Sequence, residues 1–352
     1  MTTATRSGLN RRGFLAGASA LGVGAVAAAC TSNSDNAPAA GASASAPQQA
    51  AQNAAAGKLV TVGFAGPQAD HGWLNAINLN ARNEAKRYSD VKLIITEGSN
   101  DAATQASQID SLINQKVDVL VVLPADGKQM TPAGRKAMDA GIPVINLDRI
   151  FDSAQSYRTW IGGDNYRMGL NAGAYIGAKL NGRGTVVELA GIDTLELTKQ
   201  RTQGFDDALK NFPGIRKVGR AAAEFNVQTG QARMAELLQA HPQFDALWNH
   251  DDDQGIGAIQ AIKQAGRTGF LMVGGAGSKS AMDQIKRDDS VLKATVLYPP
   301  TMAASAIRMA RLLGQSKGLG DLAEQEIPAS VTLFSAVVTK DNVDQYLPLS
   351  FE

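Results

Sequence analysis

Several residues in this chain are of types that could bind or catalyse. His71, His250 and the run Asp251-Asp252-Asp253 are the groups that could hold a metal or move protons. They lack the spacing such chemistry needs. No His-x-x-x-His pair places two imidazoles on one helix face, and no folded-domain cysteine is available as a ligand. A Gly-x-Ser-x-Gly elbow, which would expose a nucleophilic serine, is absent. Gly274-Gly275-Ala276-Gly277 follows an apolar run, but a short glycine cluster is weak evidence for a nucleotide. The sequence therefore points away from an enzyme, a resident metal or any other cofactor, and towards reversible binding.

The elements that would position these residues are legible as a series of βα units. Strand patterns fall at Leu59 to Phe64, Val91 to Glu97, Val117 to Leu123 and Val144 to Leu147, and again at Thr185 to Leu189, Val218 to Ala222, Ala246 to Trp248 and Phe270 to Val273. Helical spacing fills the intervals, including Trp73 to Arg87, Asp101 to Gln115, Val227 to Ala240 and Ser278 to Arg287. Such alternation makes parallel sheets with helices on both faces. Two sets of it make an α/β protein with two doubly wound lobes. Ligands of such sheets bind beyond the carboxyl ends of the strands. The residues there are Asp70, His71 and Trp73; Asp148 and Arg149; Asp164 and Asn165; Asp251, Asp252 and Asp253; and Tyr298. This polar, charged and aromatic set predicts a ligand cleft. Trp160 and Trp248 lie on strand patterns and are expected in the core.

Bulk properties fit a binding protein. The 352 residues suit two lobes, 44% are apolar, and the net charge is +1. A near-neutral chain without a basic stripe offers nothing to nucleic acid. Disulfides do not hold this fold together, since Cys30 is the single cysteine.

Residues 1–30 have the order of an export signal. Three arginines and no acid precede the weakly apolar stretch Phe14 to Ala29. Arg11-Arg12-Gly13-Phe14-Leu15 resembles a twin-arginine motif, with an ordinary secretory signal as the alternative. Ala27-Ala28-Ala29-Cys30 resembles a lipobox, which implies a lipid on Cys30 and a membrane anchor on the outer face of the cytoplasmic membrane, with a simple Ala-x-Ala cleavage that leaves the protein unmodified as the alternative. Residues 31–56, rich in Ala, Ser, Gln and Pro, are expected to form a flexible linker.

From Leu59 to Glu352 the chain resembles the type I periplasmic sugar-binding proteins, the ribose- and galactose-binding group. The carrying residues are Ala140-Gly141-Ile142-Pro143-Val144-Ile145-Asn146-Leu147-Asp148-Arg149, Ile161-Gly162-Gly163-Asp164-Asn165, Arg201-Thr202-Gln203-Gly204-Phe205, Asp251-Asp252 with Gly255-Ile256-Gly257-Ala258, and Thr339-Lys340-Asp341-Asn342-Val343. Repressors that share this fold begin with a helix-turn-helix, and here an export leader stands in that place.

The resemblance implies two lobes joined by a three-crossing hinge, residues 57–163 with 299–327 and residues 164–298 with 328–352, closing on a ligand. It implies a solute-binding monomer that delivers a sugar or polyol to an ABC permease, or alternatively a receptor that reports a small signalling molecule to a sensor or chemoreceptor. By position, Trp73 would stack on the sugar ring, Asp148 and Arg149 would bind hydroxyls, and Arg201, Phe225 and Asp251 would contribute from the other lobe. His71, Ala276 and Tyr298 depart from the family's usual Asn, Asp and Gln. These departures imply a polyol or a less usual sugar.

Overall fold

The computed structural model describes residues 53–319 and 326–352. The export signal, Cys30 with its lipobox, and residues 31–52 of the expected linker lie outside the described residues. The remaining part of that linker, 53–56, is docked. Asn53 and Ala55 offer their carbonyls to Arg311, and the Asn53 side chain donates to the Gly318 carbonyl at 2.9 Å. The folded body therefore begins at least four residues before the expected boundary.

Apolar runs that are buried on both faces become the central strands. β1 (Val60–Ala65), β2 (Val91–Ile95), β3 (Val119–Val122), β4 (Val144–Leu147) and β5 (Thr159–Gly163) form one parallel sheet. Every residue of β3 and β4 is buried, as a sheet covered on both faces requires. α1 (Gly72–Ala85), α2 (Ala102–Asn114) and α3 (Gly127–Asp139) connect them. The carboxylates of Asp101 and Asp126 cap α2 and α3 by accepting backbone N–H groups of Thr104 and Gln129. α1 differs, because its N-cap residue His71 makes no side-chain capping bond.

The pattern then repeats. α4 (Asn165–Lys179) leads into β6 (Arg183–Ala190), α5 (Glu196–Leu209), β7 (Gly214–Ala222), α6 (Val227–Ala240), β8 (Ala246–Asn249), α7 (Asp252–Gln264), β9 (Leu271–Ala276), α8 (Lys279–Arg287) and β10 (Leu292–Leu297). After α9 (Met302–Gly314) come β11 (Ser330–Leu333), β12 (Val337–Thr339) and the short α10 (Val343–Tyr346). The first sheet has the order β11-β5-β4-β3-β1-β2 and is parallel throughout. The second has the order β12-β10-β9-β8-β6-β7, with β12 the antiparallel edge.

The chain changes sheets three times, at Gly163/Asp164, after Tyr298, and between Leu333 and Val337. The third crossing corrects the expected boundary at Ile327. β11 pairs in parallel with β5, so residues 330–333 belong to the first lobe and not the second. Trp248 is fully buried, packed on Phe205 with ring centroids 4.8 Å apart. Trp160 is only half-buried and does not belong to the core. Its indole N–H donates to the Asp148 carbonyl at 2.9 Å.

Candidate ligand cleft

The site is assembled from strand ends and helix starts, where backbone and side chains face the space between the lobes. Asp148 and Arg149 follow β4. Trp73 is in the first turn of α1. Arg201 projects from α5, Phe225 follows β7, Asp251 caps α7, Ala276 ends β9 and Tyr298 follows β10. Together with Leu197, the residues His71, Trp73, Asp148, Arg149, Arg201, Phe225, Asp251, Ala276 and Tyr298 surround one cavity. All eight ligand-contact residues expected from the sequence are thus brought together. Three of the lining residues, Asp148, Phe225 and Ala276, hold left-handed backbone at φ 62°, 60° and 91°. Such conformations cost free energy for non-glycine residues and persist where the surrounding structure enforces them, commonly at ligand sites.

A hydrogen-bond chain runs through the cavity wall. The Tyr298 hydroxyl donates to Asp148 Oδ1 and accepts from Asn165 Nδ2 at 3.0 Å. Asn165 Oδ1 accepts from Arg201 Nε at 2.9 Å, and Arg201 Nη1 donates to the His250 carbonyl at 3.0 Å. The Arg201 guanidinium lies over the rings of Tyr298 and Phe225, 4.7 and 5.8 Å from their centroids. Trp73 Nε1 donates to the Tyr298 carbonyl at 2.8 Å, and the two rings sit 5.7 Å apart. Gly163 makes room for this arrangement, since a Cβ there would collide with the Tyr298 ring.

Arg149 is less completely satisfied. Its Nη1 donates to the Ala125 carbonyl at 2.7 Å, but its Nε is buried with no hydrogen-bond partner among the described residues. A buried, unpaired donor of this kind is costly and calls for an acceptor.

Burial raises the Asp148 carboxyl above its ordinary range, against the pull of Arg149, Tyr298 and Arg201. Burial, reinforced by the neighbouring Asp253 carboxylate, raises Asp251 to about 7. Hydroxyl donors from a ligand would favour the ionised form of both. His71 lines the cavity with one ring nitrogen engaged, its Nδ1 lying 2.6 Å from Asp70 Oδ1. Its ring lies 6.2 Å from that of Phe225.

Some neighbouring residues hold the site without lining it. Asp252 is fully engaged by the backbone N–H groups of Gly275, Gly277 and Ser278 and the Thr295 hydroxyl, at 2.8–3.0 Å. It fixes the turn after β9. Beneath Arg201, His250 Nε2 faces Glu188 at 2.9 Å, and Lys217 Nζ answers that carboxylate at 2.9 Å. The Gly191 N–H points at His250 Nδ1 at 3.4 Å, which assigns the imidazole proton to Nε2. Burial lowers the pKa of His250, in keeping with a neutral ring. Asn165 was among the residues after strands, but its link between Tyr298 and Arg201 is visible only in the fold. Leu197 and Glu188 stand outside the set that strand ends and the family resemblance mark. A lone acid in an apolar strand was the available signal for Glu188, and nothing marks Leu197. Among the described residues no group of three His, Cys, Asp or Glu side chains is placed to hold a metal.

The cavity measures about 20 Å³, room for about one water molecule. A sugar ring needs more, so entry requires the lobes to part. Larger grooves adjoin it on both sides, about 600 Å³ towards the crossings at Gly163 and Thr332, and about 410 Å³ near Asp70, Asn100 and Glu224.

Comparison with known proteins agrees with this architecture. Residues 62–318 match the family model described as a periplasmic binding protein domain. The chain is 31% identical over 245 residues to the ribose import binding protein of Bacillus subtilis (strain 168), covering 70% of this chain and 78% of that protein. It is 28% identical over 257 residues to the xylitol-binding protein of Mycolicibacterium smegmatis, covering 73% and 71%. A solved ABC transporter solute-binding protein from Bacillus halodurans C-125, with bound myo-inositol, superimposes with a TM-score of 0.75 at 23% identity, over 83% of this chain and 98% of that one. The chain belongs to the periplasmic binding protein family.

Proposed function

We propose that this chain is an extracytoplasmic solute-binding lipoprotein, anchored through Cys30, that captures a sugar or polyol between its lobes as a monomer and delivers it to an ABC importer. The observation that carries the ligand class is the buried Arg149 Nε without a partner, set beside the Asp148–Tyr298–Asn165–Arg201 chain and the Trp73 ring. Vicinal hydroxyls both donate and accept, so they suit carboxylates and guanidinium groups placed side by side. The weakly polar CH face of a sugar or cyclitol suits the indole. The relatives named for ribose and xylitol, and the neighbour holding myo-inositol, support the same class. No chemistry on the ligand is required. A ligand that favours the closed state tenfold supplies about 1.4 kcal/mol, within reach of one or two charge-assisted hydrogen bonds.

A thermal-shift screen of the chain against pentoses, hexoses, linear polyols, cyclitols and amino acids tests this reading. A ligand present at about 100 times its Kd stabilises the folded state by about 2.7 kcal/mol. The expected outcome is a clear shift with one polyhydroxylated compound, lost in Trp73→Ala. Shifts confined to amino acids, or none with any sugar or polyol, would remove the assignment.

A further inference from the structure

Asp253 lies on the lobe opposite to α1, yet its carboxylate reaches the start of that helix. Asp253 Oδ2 accepts the Trp73 backbone N–H at 3.0 Å. The approach is close enough that a Cβ on Gly72 would sit 2.8 Å from Asp253 Oδ1. The first N–H groups of a helix have no partner within it, and a side-chain oxygen normally supplies one. In α1 the local residue for that task, His71, supplies none. Asp253 is itself in the first turn of α7, where its own N–H is taken by Asp251 Oδ1 at 2.8 Å. Its charge therefore sits between two helix starts, each carrying partial positive charge. The helix it reaches carries Trp73, whose indole N–H is fixed at the other end by the Tyr298 carbonyl.

We infer that Asp253 is a positioning residue that caps α1 across the cleft when the lobes close, seats Trp73 against the ligand and slows its release. This contact requires the lobes to be together, so its loss speeds departure of a bound ligand more than it changes encounter, and in the chain without ligand it protects the Trp73 amide in the fraction that is closed. The run Asp251-Asp252-Asp253 thereby divides into three tasks: one acid at the cavity, one holding the turn after β9, and one joining the lobes.

The inference rests on the ligand-capture reading, and its test separates the two. Stopped-flow tryptophan fluorescence is recorded with myo-inositol, xylitol, D-ribose and D-allose as probes, alongside hydrogen exchange of the Trp73 amide in the chain without added probe. Asp253→Ala is expected to raise the dissociation rate about tenfold, with the association rate little changed. Asp253→Asn, which keeps an acceptor, should lie between. Gly72→Ala should reproduce the faster release. Gly72 has ordinary negative-φ or extended backbone and alanine is the better helix former, so a weakened helix would not explain that result. In the Asp253→Ala background, Gly72→Ala should add nothing, because the carboxylate it displaces is gone. The Trp73 amide should exchange faster in Asp253→Ala whether or not a probe binds. Binding of a probe with unchanged dissociation in Asp253→Ala, or additive effects of the two substitutions, would overturn the positioning role while leaving capture intact. Failure of all four probes with wild type, but loss of Trp73 protection in Asp253→Ala, would uphold the cross-cleft cap and count against capture of these compounds. Failure of the probes with equal exchange in both proteins would overturn the cap as well.

Discussion

Asp148→Asn is expected to weaken ligand binding by about 30- to 150-fold while leaving the fold in place. The carboxylate is the one negative group that meets Tyr298 and lies beside Arg149 in the cavity wall. Replacing it with an amide removes charge-assisted acceptance of ligand hydroxyls, worth about 2–3 kcal/mol. It also leaves two buried guanidinium groups with less compensating charge. Asparagine is the suitable probe because residue 148 holds φ 62°, a conformation that asparagine adopts more readily than most residues. Alanine there would confuse strain with lost contact. Isothermal titration of the ligand identified by screening gives the affinity, and the thermal midpoint without ligand reports whether folding is intact. Binding unchanged within a factor of three would place the ligand elsewhere.

The largest expected effect on stability lies far from the cleft, where the N-terminal segment meets α9. Arg311 is 3% exposed, and its Nε and Nη2 each donate to an Asp90 carboxylate oxygen at 2.7 Å. Asp90 also accepts from the Gly57 N–H at 2.6 Å and Gln315 Nε2 at 2.8 Å. Breaking one side of such a buried pair costs about 3–5 kcal/mol, because the other charge is left without compensation. Arg311→Met should therefore lower stability by that amount in chemical denaturation. The double variant Arg311→Met, Asp90→Asn should recover part of the loss. The hydrogen bonds from Arg311 outweigh burial and hold the Asp90 carboxyl well below its ordinary value. Its contribution is accordingly complete above the unfolded-state pKa of about 3.9 and is lost as pH falls through the lower folded value. Wild type should lose stability on acidification below about pH 4, and Asp90→Asn should lose less over the same window. A double variant no better than the singles would show that packing, and not charge, dominates.

The strands that could be read from the sequence were those with one strong signal. Val119–Val122 and Val144–Leu147 are unbroken apolar runs because their sheet is covered on both faces. β5 (Thr-Trp-Ile-Gly-Gly) is weakened by two glycines, one of which exists to admit the Tyr298 ring. β11 and β12 are short edge strands whose partners come from different sheets, so no local pattern reveals which lobe each joins. The third crossing therefore falls later in the chain than Ile327. Asp148, Arg149, Trp73 and Tyr298 were legible as polar or aromatic residues just beyond strands. Arg201 sits mid-helix and Phe225 in an irregular turn, and their inclusion came from the family resemblance. Asp253 lay within a charge run that reads as a solvated helix start. Its partner is 180 residues away in sequence, and only closure of one lobe on the other brings them together.

A crystal structure of the chain with the compound that gives the largest thermal shift tests capture between the lobes most directly. The expected result is a sugar or polyol enclosed by both lobes, with hydroxyls on Asp148 and Asp251, an acceptor on Arg149 Nε, and a ring or carbon face against Trp73. A ligand bound outside the cleft, or within it but touching neither Asp148 nor Arg149, would contradict the assignment.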